Sequence, residues 1–241
     1  MLILTGTLVN AAAIVAGSLL GTLLSGIPEG MRKTVMQGIG LAVVLLGLKM
    51  SFDTKNILIV ILSLVVGSIA GEAMKIEHRL NQVGNWLETK VGRGKQGSIA
   101  TGFVTATLVY CIGAMAVLGS MDSGLRNNHE ILFTKAMLDG FSAIIFTSTL
   151  GIGVAFSAFP VLVYQGAITL LSTQIYNLIS KEMLDMILVE LTATGGLLIV
   201  AIGINIMEIR KINVANMLPA LLVAAILVPS TNWLNTMFFA T

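Results

Sequence analysis

From Gly140 to Ser180 the chain runs 41 residues without an Asp, Glu, Lys or Arg. A helix crosses the hydrocarbon of a bilayer in about 20 mainly apolar residues, so this run is too long for one crossing and right for two. The sequence places their joint near Ser157–Pro160, with Pro160 in a first helical turn, where a missing N–H costs nothing. Such a stretch cannot belong to a soluble surface. The rest of the chain agrees: 56% of residues are hydrophobic and 11% charged, against roughly 25% charged in soluble domains, and the mean hydropathy is +0.93. The expected fold class is all-α, a polytopic transmembrane helix bundle forming one integral-membrane domain over residues 1–241.

Apolar segments place eight spans at about 4–25, 34–52, 57–75, 98–119, 135–156, 159–179, 187–207 and 214–237. Lys181, Glu182, Asp185 and Glu190 blur the junction of the sixth and seventh, which leaves a seven-span count open. With the N-terminus outside, the inner loops hold nine basic residues (Arg32, Lys33, Lys75, Arg79, Lys90, Arg93, Lys95, Arg210 and Lys211) and the outer side five (Lys49, Lys55, Arg126, Lys135 and Lys181). That asymmetry predicts both termini outside a cytoplasmic membrane. The start MLILTGTLVN reads as a retained first helix, having neither a basic n-region nor an A-x-A-like cleavage site. The lone Cys111 excludes an intrachain disulfide.

Between the third and fourth spans, Ile76, Leu80, Val83, Leu87 and Val91 recur at helical spacing with Trp86 beside them. The pattern predicts an amphipathic helix at about 76–92. It reads either as a helix lying on the inner leaflet, anchored by Trp86, Arg93 and Lys95, or as a connector packed on the bundle.

Two internal echoes stand out. Gly17-Ser18-x-x-Gly21 and Gly67-Ser68-x-x-Gly71 lie in the first and third spans, with Thr22 following one copy and Glu72 the other. Small residues four apart let helix backbones approach closely, and the expectation is that the two faces meet each other or a second copy of the chain. QGIGLAVVLLGLKM (37–50) resembles TGGLLIVAIGINIM (194–207), Gly40 and Gly47 matching Gly196 and Gly203. If spans one to three are related to spans six to eight, the offset is odd and the copies face opposite ways, the layout of inverted-repeat transporters.

Ionisable groups at membrane depth are costly and functional by default. Three acids qualify: Glu72 near the inner end of the third span, Asp139 about one turn into the fifth, and Glu190 on the seventh. Two have a plainer reading, a pair with Lys75 for Glu72 and with Lys135 for Asp139, whereas Glu190 has no basic residue within four positions. Asn10, Tyr110, Cys111, the run Thr147-Ser148-Thr149, Gln165 and Asn205 are uncharged candidates for the lining of a polar path. Against that, hydroxyls in membrane helices often bond their own i−4 carbonyl, and amides often tie helices together. Three successive hydroxyls cannot all face one neighbour, because successive residues turn roughly 100° around the helix. Gly113, Gly119, Gly124, Gly151 and Gly153, with Pro219, mark points where helices could break and expose backbone groups to a solute.

Catalytic signatures are missing. His78 and His129 have no H-E-x-x-H or Cys-rich companion, so no metal site is expected, and neither a G-x-S-x-G elbow nor a G-x-x-x-x-G-K-[ST] loop occurs. No enzyme and no cofactor are expected. The few basic residues suit lipid headgroups better than nucleic acid.

The segments LVNAAAIVAGSLLG (8–21), GSIAGE (67–72), CIGAMAVLGSMDSGL (111–125), KAMLDGFSAIIFTSTLGIGV (135–154) and VANMLPALL (214–222) carry a family resemblance. The chain resembles, over essentially its whole length, the bacterial inner-membrane family catalogued as domain of unknown function 554 (DUF554, the YdfK/YqgA type). That resemblance implies a transport label without an established substrate, and its signature blocks contain Asn10, Gly17, Gly21, Glu72, Gly113, Gly119, Asp139, Ser148, Asn216 and Pro219. The expected function is therefore a membrane transporter or channel for a small solute or ion, its path involving Asn10, Glu72, Asp139, Thr147, Ser148, Glu190 and Asn205. The alternative is a non-transporting scaffold or partner-binding subunit, with GxxxG-type faces at Gly17, Gly21, Gly67 and Gly71, as would also serve a homo-oligomer.

Overall fold

The computed structural model describes residues 2–23, 29–91 and 98–239, and within these every regular element is a helix. After a 3₁₀ turn at Leu2–Leu4 come α1 (Thr5–Leu23), α2 (Glu29–Ser51), α3 (Ile57–Met74), α4 (Ile76–Val91), α5 (Ser98–Cys111), α6 (Ala114–Arg126), α7 (Glu130–Leu150), α8 (Ala158–Leu178), α9 (Lys181–Ile206) and α10 (Pro219–Phe239). Seven segments among the described residues are long and apolar enough to cross a membrane, and an eighth crossing is available if α5 and α6, bent by 63°, count as one. Large apolar side chains such as Leu19, Leu45, Ile69 and Leu222 are more than half exposed. On a soluble protein so many would be untenable; here they face lipid, and the chain is a multi-pass membrane protein.

Local chemistry sets the helix ends. Asn56 caps α3 by accepting from the Leu58 N–H at 3.2 Å, and Ser180 caps α9 by accepting from the Met183 N–H at 3.3 Å. Lys75 ends α3 in the left-handed conformation, φ 53°, and α4 follows at once. The Ser180 cap separates α8 from α9, so Lys181, Glu182 and Asp185 fall in the first two turns of α9, and Glu190 is its tenth residue. Two expectations shift here. The fifth span ends at Leu150 rather than near Ser157: Gly151, at φ 89°, breaks it into a 3₁₀ turn over Ile152–Ser157. Pro219 does not kink a helix; it begins α10, and the proline inside that helix is Pro229. Residues 24–25 of the first expected span, together with Arg93 and Lys95, lie outside the described residues.

The chain forms two compact units, Met1–Gln37 with Arg79–Ile175, and Gly38–His78 with Tyr176–Thr241. In the first, α1 and α7 run side by side in the same direction. Gly6 faces Leu132, Gly17 faces the Gly140 carbonyl, and Gly21 faces Ile144 and Thr147. The bent pair runs the other way along α7: Ile99 and Gly102 lie beside Gly153 and Leu150 at one end, while Gly119 lies beside Ile131 and Leu132 at the other. Because α5 and α6 together cover the length of a 21-residue helix, they form one broken crossing and not a re-entrant loop. α4 is the expected amphipathic helix, with Gly84 set against Ala100 of α5 while Val83 (45%) and Trp86 (58%) stay exposed.

The second unit is built from α2, α3, α9 and α10. Its centre is a reciprocal contact between the two echoing segments. A Cβ on Gly47 would lie 2.5 Å from the Gly196 carbonyl, and one on Gly196 would lie 2.6 Å from that of Gly47; Gly203 and Gly40 answer each other at 2.7 and 3.0 Å. Val200 touches Gly47 as Val44 touches Gly203. So α2 and α9 pack antiparallel about a local two-fold relation, their backbones brought close by the absent side chains. Gly67 and Gly71 meet Ala220 and Asn216. The expected mutual contact of the two GS-x-x-G faces is therefore replaced. Each face is filled by a helix of its own unit, α7 for Gly17 and Gly21, and for Gly67 and Gly71 the α10 segment with the turn before it.

Candidate functional site

A buried polar cluster forms where α1, α5, α7 and α8 of the first unit converge. Lys135 and Asp139 are one helical turn apart on α7, and the ammonium sits 2.9 and 2.8 Å from the two carboxylate oxygens. Both residues are less than a tenth exposed. The Asn10 amide, on α1, donates to Asp139 at 3.0 Å and to the Gln165 carbonyl oxygen on α8 at 3.3 Å. The Ser142 hydroxyl lies 3.0 Å from the Asp139 carbonyl and 3.3 Å from the Tyr110 hydroxyl. Tyr110 stands near the end of α5, its ring stacked on Phe146 at 6.2 Å.

Depth gives this cluster its meaning. Because α7 starts at Glu130, Asp139 is the tenth of its 21 residues, midway along the span and not one turn from its end as the sequence suggested. The break between α5 and α6 lies close by: Tyr110, next to the last residue of α5, is the residue whose hydroxyl meets Ser142 of α7 at 3.3 Å. Gly113 adopts φ 133°, a backbone state open to glycine, and α6 begins behind it with no side-chain cap. At this break the Ile112 N–H reaches the Leu108 carbonyl at 3.0 Å and the Ala116 N–H the Gly113 carbonyl at 3.2 Å, while the remaining first N–H groups of α6 and last carbonyls of α5 lie beyond the helical ladder. An ion pair at this depth forfeits much hydration, and its mutual attraction repays that only with good geometry and further hydrogen bonds. Asn10 supplies one.

Of the hydroxyl run, Ser148 and Thr149 bond carbonyls of their own helix, at 2.8 Å for Ser148 and 3.0 Å for Thr149. Thr147 is buried, and its hydroxyl finds no partner among the described residues. Glu72, Glu190 and Asn205 belong to the second unit, where each ties a loop or helix end. The Glu190 carboxylate accepts from the Thr54 hydroxyl at 2.6 Å and from the Lys55 and Asn56 N–H groups at 2.8 and 2.9 Å, closing the turn ahead of α3. Asn205 spans its loop by exchanging two 2.8 Å bonds with Ile212. Glu72 receives the Asn216 side-chain amide, and Asn216 in turn accepts the Glu77 N–H at 2.7 Å. Here is the reason one copy of the repeated motif carries an acid: the neighbour of α3 at that level presents Asn216, whereas the neighbour of α1 presents Ile144 and Thr147.

Sequence reasoning missed Thr7, Ser142 and Thr169. Thr7 precedes Asn10 by three residues and Thr169 follows Gln165 by four, spacings that place each on the face of its amide. Reading outward from each polar candidate at helical spacing would have found both.

The chain matches the family described as "Protein of unknown function (DUF554)" over residues 5–229. It is 32% identical over 228 residues to the "Uncharacterized membrane protein YdfK" of Bacillus subtilis, spanning 92% of this chain and 95% of that protein. It is 30% identical over 224 residues to the "Uncharacterized protein YqgA" of Escherichia coli, spanning 91% and 94%. No solved structure matches the chain. With the family pattern extending over nearly all of its helices, this chain belongs to the DUF554 family.

Proposed function

We propose that this protein is a transporter or channel of the bacterial cytoplasmic membrane that passes a small solute or ion through the polar cluster of its first unit. The observation that carries the reading is the Lys135–Asp139 pair at mid-span, joined by Asn10 to Gln165 and set beside a broken helix. A structure that needed only helix adhesion would gain nothing from two buried charges, since apolar side chains of similar volume serve as well or better. Discontinuous helices and opposed repeats are the materials of alternating-access carriers, and the reciprocal contact of α2 with α9 fits that pattern. The scaffold reading loses support, because the glycine faces it would offer to partners are occupied within the units. The role is transport without catalysis.

Proteoliposomes loaded with cations, anions or small metabolites test the proposal. Flux above protein-free vesicles is expected, falling about tenfold in Asp139→Asn, the equivalent of one lost charge-assisted hydrogen bond. Unchanged flux of every solute in that variant would overturn it.

The same reading puts α4 on the cytoplasmic leaflet and both termini outside, from the distribution of Lys and Arg. Exposed Val83 and Trp86 would enter the headgroup region, with Lys75, Arg79 and Lys90 on its anionic surface. A reporter fused after residue 241 is expected to be active only outside the cytoplasm. Cytoplasmic activity would reverse the orientation.

A further inference from the structure

We infer that the polar cluster around Asn10, Asp139 and Gln165 in the first unit takes a small uncharged solute carrying both hydrogen-bond donors and acceptors, such as an amide or polyol, and not an inorganic ion. This rests on the transport reading above and names its substrate class. The charges come first. Lys135 and Asp139 are the buried acidic and basic side chains of this unit among the described residues, and they neutralise one another. An incoming cation would have to displace Lys135 from Asp139, and an anion would have to displace Asp139 from Lys135. Either exchange leaves a charge without its partner in a low-dielectric setting, where isolated charges are costly.

Hydrogen bonding then selects the class. Seven buried atoms in this unit have no partner among the described residues: the hydroxyls of Thr7, Ser18, Thr107, Thr147 and Thr169, Oδ1 of Asn10 and Nε2 of Gln165. Asp139 fixes which atoms these are. The carboxylate requires the Asn10 amide nitrogen toward it, so the Asn10 oxygen is left over; Gln165 accepts from that same nitrogen, so its own NH₂ is left over. The contact of Asn10 with Gln165 and Asp139 therefore offers one fixed acceptor and one fixed donor, and Thr7 and Thr169, at helical spacing from the two amides, add hydroxyls able to act as either. Buried polar groups in native proteins rarely stay unpaired. An alkali cation would use the oxygens and strand the Gln165 NH₂, and an anion would strand the Asn10 oxygen. A solute with intermixed N–H or O–H donors and oxygen acceptors can satisfy both.

Proteoliposomes of the full chain, assayed by stopped-flow swelling with glycerol and urea and in parallel for flux of sodium, potassium, chloride and glycine, test the inference. Glycerol or urea is expected to enter faster than into protein-free vesicles. Thr7→Val and Thr169→Val, which keep the side-chain shape, are each expected to slow that entry about 2–10-fold, the value of one hydrogen bond, with the unfolding temperature unchanged or raised. Thr169→Ser should retain the flux. Movement of ions or glycine with none of glycerol or urea overturns the inference and leaves the transport reading standing, whereas absence of flux for every solute overturns both. Valine variants that unfold earlier but conduct normally also overturn it, since the hydroxyls would then serve the fold alone.

Discussion

Lys135→Met is expected to destabilise the folded protein by about 3–5 kcal/mol, the cost of leaving a buried charge without its partner. The methionine fills much the same volume, so little of that loss would come from packing. What remains is the Asp139 carboxylate, still buried, with the Asn10 amide as its one side-chain donor. Adding Asp139→Leu should recover most of the loss, because an apolar pair of similar size is often as stable as the ions it replaces. The two changes would then be strongly non-additive, as expected for residues in direct contact. Unfolding in detergent of the two single variants, the double variant and the parent completes the cycle. Additive losses would mean that the pair is not closed in the membrane-embedded protein. The double variant also separates stability from function: restored folding with lost flux is the outcome that places the pair in the solute path.

Much of the architecture was legible in the sequence because the bilayer imposes it. A spanning segment must be long, apolar and self-satisfied in its backbone, and those demands write themselves into composition. The broken crossing could be read from Gly113, and the amphipathic α4 from a stripe at helical spacing. Partner choice was less legible. The motif Gly17-Ser18-x-x-Gly21 announces that a backbone comes near but does not say whose, since a glycine face is defined by what it lacks. Depth was misjudged for one reason: α7 begins at Glu130, five residues before the apolar run suggested, because Glu130 and Lys135 are tolerated within its first two turns. That shift moves Asp139 from about one turn inside its helix to the middle of it. Glu190 illustrates a different limit. Nothing in one helix of sequence reveals that a buried acid will be consumed by the backbone N–H groups of a distant turn.

Gly47→Ala is expected to cost about 1–3 kcal/mol, the range for methyl groups forced into a filled interior, although on an isolated helix the same change would be favourable. The added Cβ would lie 2.5 Å from the Gly196 carbonyl and 2.7 Å from the Val200 N–H. Both are backbone atoms, which cannot step aside as a flexible side chain would, so α2 and α9 must part. Gly196→Ala meets the same contact from the other side, 2.6 Å from the Gly47 carbonyl. Once one methyl has separated the helices, the second enters space already opened, and the double variant should lose less than the sum of the two. Gly38→Ala, on the same helix, supplies the reference. Nothing lies within 4 Å of its would-be Cβ, so that substitution should be neutral or stabilise by up to about 1 kcal/mol through helix propensity alone. Thermal unfolding of the four variants distinguishes the cases. If Gly47→Ala proved as harmless as Gly38→Ala, the reciprocal contact would not hold the second unit together, and with it would go the structural support for reading α2 and α9 as opposed copies.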